Sequence, residues 1–228
     1  MSKQSVSPRG ARSQSVHDLV ILAFFTAIIF LMNYTPLGYI DLPLIKATLI
    51  HVPVIIGSVL LGPKKGAILG GMFGLTSIIK NSMTPSALSF AFSPLIPVYG
   101  TDRGSPWAVV ICFVPRILVG VTPWLVAQAL KKLTKNKAML RPVVLGVAGA
   151  VGAFTNTALV MGLIFFVFKD AYAMLQGVDV SAVMGLILGV VAGNGIPEAI
   201  VAVVLTPAVC IPLMRVLKLD AADKGAEE

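Results

Sequence analysis

The sequence predicts an all-α membrane protein, a bundle of six transmembrane helices with both termini cytoplasmic. Three observations carry that prediction. Of 228 residues, 57% are hydrophobic and 12% charged, whereas a soluble domain has about 45–50% apolar and about 25% charged residues. Six apolar stretches divide the chain, at 16–34, 44–61, 66–79, 106–130, 143–168 and 183–217, and a helical span takes roughly 20 residues. Lys and Arg gather at alternate ends of those stretches, which marks the cytoplasmic ends.

Residues 1–15 are polar and basic and read as a cytoplasmic tail. The first stretch is long enough to span, and no small-residue cleavage site follows, so it is a retained helix rather than a signal peptide. The third is short and glycine-rich from Gly66 to Gly74, which suits close helix approach in lipid. The fourth carries Arg116 and the fifth Thr155-Asn156-Thr157. The sixth is too long for a straight span. Gly193, Gly195 and Pro197 predict an interruption there, with an interfacial or broken start near Val180 and a span ending around Met214. The transmembrane domain therefore covers 16–218, and 219–228 form a second cytoplasmic tail.

The net charge is +8. With the N-terminus inside, inner segments hold thirteen of the eighteen Lys and Arg residues, and Lys46, Lys80, Arg103, Arg116 and Lys169 are the other five. Cations at helix ends are topology signals facing anionic lipid, not a nucleic-acid surface, which would gather them on one folded face. Cys112 and Cys210 fall toward opposite faces of the membrane, too far apart for a disulfide. Neither has metal-ligand spacing around it.

No phosphate-cradling G-x-x-x-x-G-K-[ST] motif is present, so ATP hydrolysis is not expected of this chain. There is no G-x-S-x-G, no H-E-x-x-H, and Glu198 is the one carboxylate deep in a span. The pattern excludes an enzyme and implies no cofactor.

Polar side chains inside spans are costly, roughly 2.5–3.5 kcal/mol for a charge at the helix centre, and each needs a partner or a ligand. Arg116, Asn156 and Asn194 fall at a similar depth, with Glu198 one turn beyond Asn194 on the same helix face. Asn33, Tyr34, Tyr39, Lys46, His51, Lys80 and Asn81 line the outer mouth, closed by the first loop at 35–43. Two readings of Arg116 stand: a ligand contact, or a buried pair with Glu198. Asn156 serves a ligand or interhelical hydrogen bonding. Asn194 precedes Pro197 and favours a site, Lys80 can snorkel to the interface, and His51, before Pro53, reads as packing. Ala23 and Ala27 make a small-residue stripe on the first span.

Four stretches carry a family resemblance: Ala23-Phe24-Phe25-Thr26-Ala27, Leu61-Gly62-Pro63-Lys64-Lys65-Gly66 with its glycine-rich helix, Thr155-Asn156-Thr157, and Asn194-Gly195-Ile196-Pro197-Glu198. With the six-helix layout they cover nearly the whole chain. The chain resembles the substrate-binding S components of energy-coupling-factor (ECF) vitamin transporters and is most similar to the pantothenate type, with folate and riboflavin types sharing the layout. The resemblance implies a multi-pass protein of a prokaryotic cell membrane and high-affinity vitamin binding. It also implies a module of a transmembrane coupling protein and two cytoplasmic ATPases, with Ala23 and Ala27 docking on the coupling protein. Arg116 or Lys80 with Asn156 and Asn194 would suit a vitamin bearing one carboxylate, hydroxyls and an amide. The rival reading is a self-contained secondary transporter, with Glu198 as its minimal basis for proton coupling.

Overall fold

The computed structural model describes residues 8–41, 46–135 and 137–217, with side chains from 16 onward except 17, 39–41 and 46–47. In chain order the elements are α1 (Pro8–Tyr34), β1 (Tyr39–Asp41), β2 (Lys46–Thr48), α2 (His51–Leu61), α3 (Pro63–Met83), α4 (Trp107–Val119), α5 (Thr122–Leu133), α6 (Arg141–Gln176) and α7 (Val183–Val216). α4 and α5 form one broken rod, Trp107–Leu133, which joins Ala138–Gln176 and Val180–Val216 as segments long and apolar enough to cross a membrane. The described helices thus make six rods, in agreement with six apolar stretches. The tail at 219–228 and the side chains of 8–15 lie outside the described residues.

Among the differences from the sequence reading, three stand out. α1 begins at Pro8 rather than at 16. The second helix begins at His51 rather than at 44, because residues 46–48 pair with β1 as an antiparallel hairpin, Tyr39 opposite Thr48 and Asp41 opposite Lys46. α2 is therefore only 11 residues long, about 16 Å. α7 runs unbroken through Gly193, Gly195 and Pro197, preceded by a 3-10 turn at Val180–Ala182. One proline removes a single N–H, that facing the Gly193 carbonyl, while breaking a helix in lipid strands several backbone groups. Continuity wins.

Local chemistry sets the turns. Gly62, at φ 86°, ends α2 and donates its N–H to the Ser58 carbonyl, 2.9 Å, and Pro63 starts α3 where its missing N–H costs nothing. Between α6 and α7 Asp179 accepts the Ser181 N–H at 2.8 Å. Its bonds with Ser181 hold that exposed carboxyl below the usual carboxylate range.

The glycine stripe of α3 does what its spacing predicts. A Cβ on Gly66 would strike the Gly120 carbonyl, one on Gly70 the Arg116 carbonyl, and one on Gly74 the Cys112 carbonyl. Three successive turns of α3 therefore lie backbone to backbone against α4, which fixes where Arg116 stands. One core cluster joins Phe25 and Ile29 of α1 to Ile55, Leu69 and Ala202. A second joins Phe90, Ile111, Ile164, Phe168 and Tyr172. Cys112 and Cys210 are both free and buried.

Candidate functional site

Arg116 is 7% exposed in the interior of the bundle. Pro115 has no N–H to give the carbonyl one turn back, at Ile111. The Arg116 guanidinium takes that freed carbonyl, Nη1 to oxygen 2.6 Å. It also lies over two aromatic faces, Phe73 of α3 and Phe92 of the 84–106 loop, each ring centroid 5.3 Å from Cζ. Such contacts stabilise a cation without neutralising it. Arg116 Nε has no hydrogen-bond partner, and among the described residues no ion pair joins Arg116 to Glu198. Of the two readings of that cation, the internal pair is not what the geometry contains.

Glu198, 3% exposed on α7, is instead met by hydroxyl and amide donors. Thr48 at the end of the hairpin gives its backbone N–H and its Oγ1–H to Oε1, at 2.8 and 2.7 Å. Thr157 of α6 gives its hydroxyl to Oε2 at 2.8 Å. A carboxylate accepting three such bonds is compensated without a cation. Glu198 therefore ties together three parts of the chain: hairpin, α6 and α7.

Asn156 stands between Thr155, whose hydroxyl lies 3.5 Å from Thr122 on α5, and Thr157, which faces α7. Its side chain points into the interior, 7% exposed, and Oδ1 has no partner. Asn194 is half-buried one turn before Glu198. Arg116, Asn156, Asn194 and Glu198 thus come from α4, α6 and α7.

The residues placed at the mouth divide. Lys80 Nζ donates to the Asn33 carbonyl at 2.8 Å, joining the ends of α3 and α1; Asn33 is 2% exposed. Asn81 gives Nδ2 to the Ser77 carbonyl, 2.8 Å, and accepts the Ser89 hydroxyl, 2.7 Å. Its oxygen pins the 84–106 loop at Ser89, while its amide N–H bonds back within α3. The side chains of Tyr39 and Lys46 lie outside the described residues. Ala23 and Ala27 are exposed on the face of α1 opposite buried Phe25 and Ile29, among exposed Val20, Phe24 and Leu31.

Sequence reasoning missed Thr48, Phe73 and Phe92, and passed over His51, which is fully buried with neither ring nitrogen bonded. Pro115 was a usable signal for the Ile111 carbonyl. Nothing local announces Thr48.

Among the described residues the arrangement is a polar interior with one unneutralised cation and bare amide and imidazole atoms. Residues 17–210 match the model of the family described as ECF transporter, substrate-specific component. Two curated relatives align over most of their length. The pantothenic acid transporter PanT of Lactococcus lactis subsp. cremoris is 38% identical over 212 residues, 90% of this chain and 97% of that protein. The pantothenate transporter PanT of Leuconostoc mesenteroides subsp. mesenteroides is 32% identical over 198 residues, 84% of this chain and 89% of that one. The chain is thus a multi-pass cell-membrane protein and belongs to the family of substrate-specific components of ECF transporters.

Proposed function

We propose that this chain is the pantothenate-binding subunit of an ATP-driven ECF importer, with both termini cytoplasmic. A transmembrane coupling protein and two ATPase subunits supply the energy. The two relatives named for pantothenate support the choice of vitamin. The observation that carries the reading is Arg116, a buried guanidinium with Nε unpartnered and no carboxylate of the described residues on it. A buried cation of that kind calls for an anion, and pantothenate brings one carboxylate. Asn156 and Asn194 supply hydrogen bonds to the rest of the molecule, Tyr39 and Asn33 stand at the entrance, and Glu198, Lys80 and Asn81 hold its walls. Ala23 and Ala27 give the coupling protein a flat stripe to dock on. The Lys and Arg distribution supports the orientation.

The test is a thermal-shift screen of the purified chain against a vitamin panel. A ligand that binds only the folded state adds about 2.7 kcal/mol at one hundred times its Kd. Pantothenate is expected to raise the unfolding temperature while folate and riboflavin do not. Stabilisation by either of those instead reassigns the vitamin. Uptake by liposomes holding this chain alone, driven by an ion gradient, would replace the reading with a secondary transporter.

A further inference from the structure

Among the buried polar atoms of the described residues without a hydrogen-bond partner are both ring nitrogens of His51 and Oδ1 of Asn156. His51 is 0% and Asn156 7% exposed. Two contacts bracket them. A Cβ on Gly152 of α6 would meet Ile55 of α2 at 2.8 Å. Thr48, just before α2, and Thr157, just after Asn156, share the Glu198 carboxylate. His51 lies between Thr48 and Ile55, and Asn156 between Gly152 and Thr157, so the two fall at one level of the bundle.

Their chemistry defines what completes them. A neutral imidazole offers one N–H donor and one acceptor nitrogen, and the amide oxygen accepts. Buried groups of this kind are nearly always paired. The missing partner must both give and take hydrogen bonds, as a hydroxyl or an amide does. It must also be uncharged, because Glu198 is bonded to Thr48, three residues ahead of His51, and a second anion there would meet like charge. Arg116 has the opposite preference. The interior therefore holds two places of different electrostatic character, one beside the Glu198 carboxylate and one at the Arg116 guanidinium.

We propose that His51 and Asn156 form a subsite for the neutral, hydroxyl-bearing end of the ligand, with Arg116 receiving its carboxylate, so that the molecule enters in one fixed orientation. The inference rests on the pantothenate reading, since that vitamin carries its carboxylate at one end and hydroxyls at the other.

The test is calorimetric titration of the purified full chain with pantothenate and with panthenol, in which a primary alcohol replaces the carboxylate. Wild type is expected to bind both. His51→Phe should weaken both by a similar factor, about tenfold or more for a lost buried hydrogen-bonding group. His51→Gln, which keeps a donor and an acceptor, should recover part of that loss. Arg116→Gln should weaken pantothenate strongly and panthenol little. The proposal is overturned if His51→Phe binds both ligands as wild type does, or if it loses pantothenate alone. It is also overturned if wild type binds pantothenate and ignores panthenol to millimolar concentration. Should His51→Phe fail to fold, Asn156→Leu carries the same comparison with the same criteria. Failure of wild type to bind pantothenate at all is a separate result, which removes the pantothenate reading itself.

Discussion

Thr48 gives both its backbone N–H and its hydroxyl to a single oxygen of Glu198, 150 residues further along the chain. The other oxygen takes the Thr157 hydroxyl. The hairpin is thereby fastened to α6 and α7 through one carboxylate, directly beside buried His51. Hydrogen bonds to a charged group contribute about 1.5–3 kcal/mol each. Replacing Thr48 with Val removes the hydroxyl and leaves the N–H. We expect vitamin release from Thr48→Val to quicken by about tenfold, by the same scale. Glu198→Ala, which loses all three donors' acceptor, should release faster still. A filter chase of bound radiolabelled vitamin measures both; unchanged release in folded variants means that this contact does not hold the ligand in.

Docking should separate from binding. Ala23 and Ala27 face away from the core, while Phe25 is 4% and Ile29 0% exposed on the other side of α1. A bulky side chain at 27 has open space in the isolated subunit and spoils only a close helix–helix approach. Ala27→Trp is expected to keep the pantothenate thermal shift and the unfolding temperature of the wild type. It should lose co-purification with the coupling protein, and vitamin uptake in cells should fall to background. A variant that is taken into the module normally would remove Ala27 from the docking face.

These two regions differ in how far the sequence disclosed them. The spans were legible because lipid demands long apolar runs, and the glycines from Gly66 to Gly74 announced close packing that the backbone of α4 accepts. The hairpin was hidden: residues 44–50 are apolar enough to pass for the start of a span, and only strand pairing between Tyr39 and Thr48 shows otherwise. Arg116 advertised that it needed compensation but not its source. That source proved to be the Ile111 carbonyl and two rings, one from a loop at 84–106 that carries no motif. Glu198 suffered the same ambiguity, since a partner 150 residues away leaves no local trace.

The ion pair between Lys65 and Asp18 links the first turn of α3 to α1 about three turns into that helix. Its side chains are 33% and 37% exposed, so water and salt screen it, and pairs of that kind contribute about 0.2–1 kcal/mol. Asp18→Asn should therefore lower the unfolding temperature only slightly, and the difference from wild type should shrink further in high salt. A large loss that persists in high salt would show that the pair carries more than its exposure allows.

Gly70 and Gly71 are neighbours on α3 with opposite prospects. A Cβ at Gly70 would land on the Arg116 carbonyl and within 2.8 Å of the Ile117 Cα, both backbone, with no flexible end to yield. Forcing α3 and α4 apart costs about 1–3 kcal/mol as overpacking, and it also shifts the segment that aims Arg116. At Gly71 an added Cβ meets nothing within 4 Å, and glycine to alanine inside a helix gains up to about 1 kcal/mol. Gly70→Ala is thus expected to lower the unfolding temperature and weaken pantothenate binding together. Gly71→Ala should leave binding alone and hold or raise the unfolding temperature. Because the two substitutions are chemically identical and adjacent, equal effects in thermal unfolding would mean that contact with α4 does not set the position of the cation.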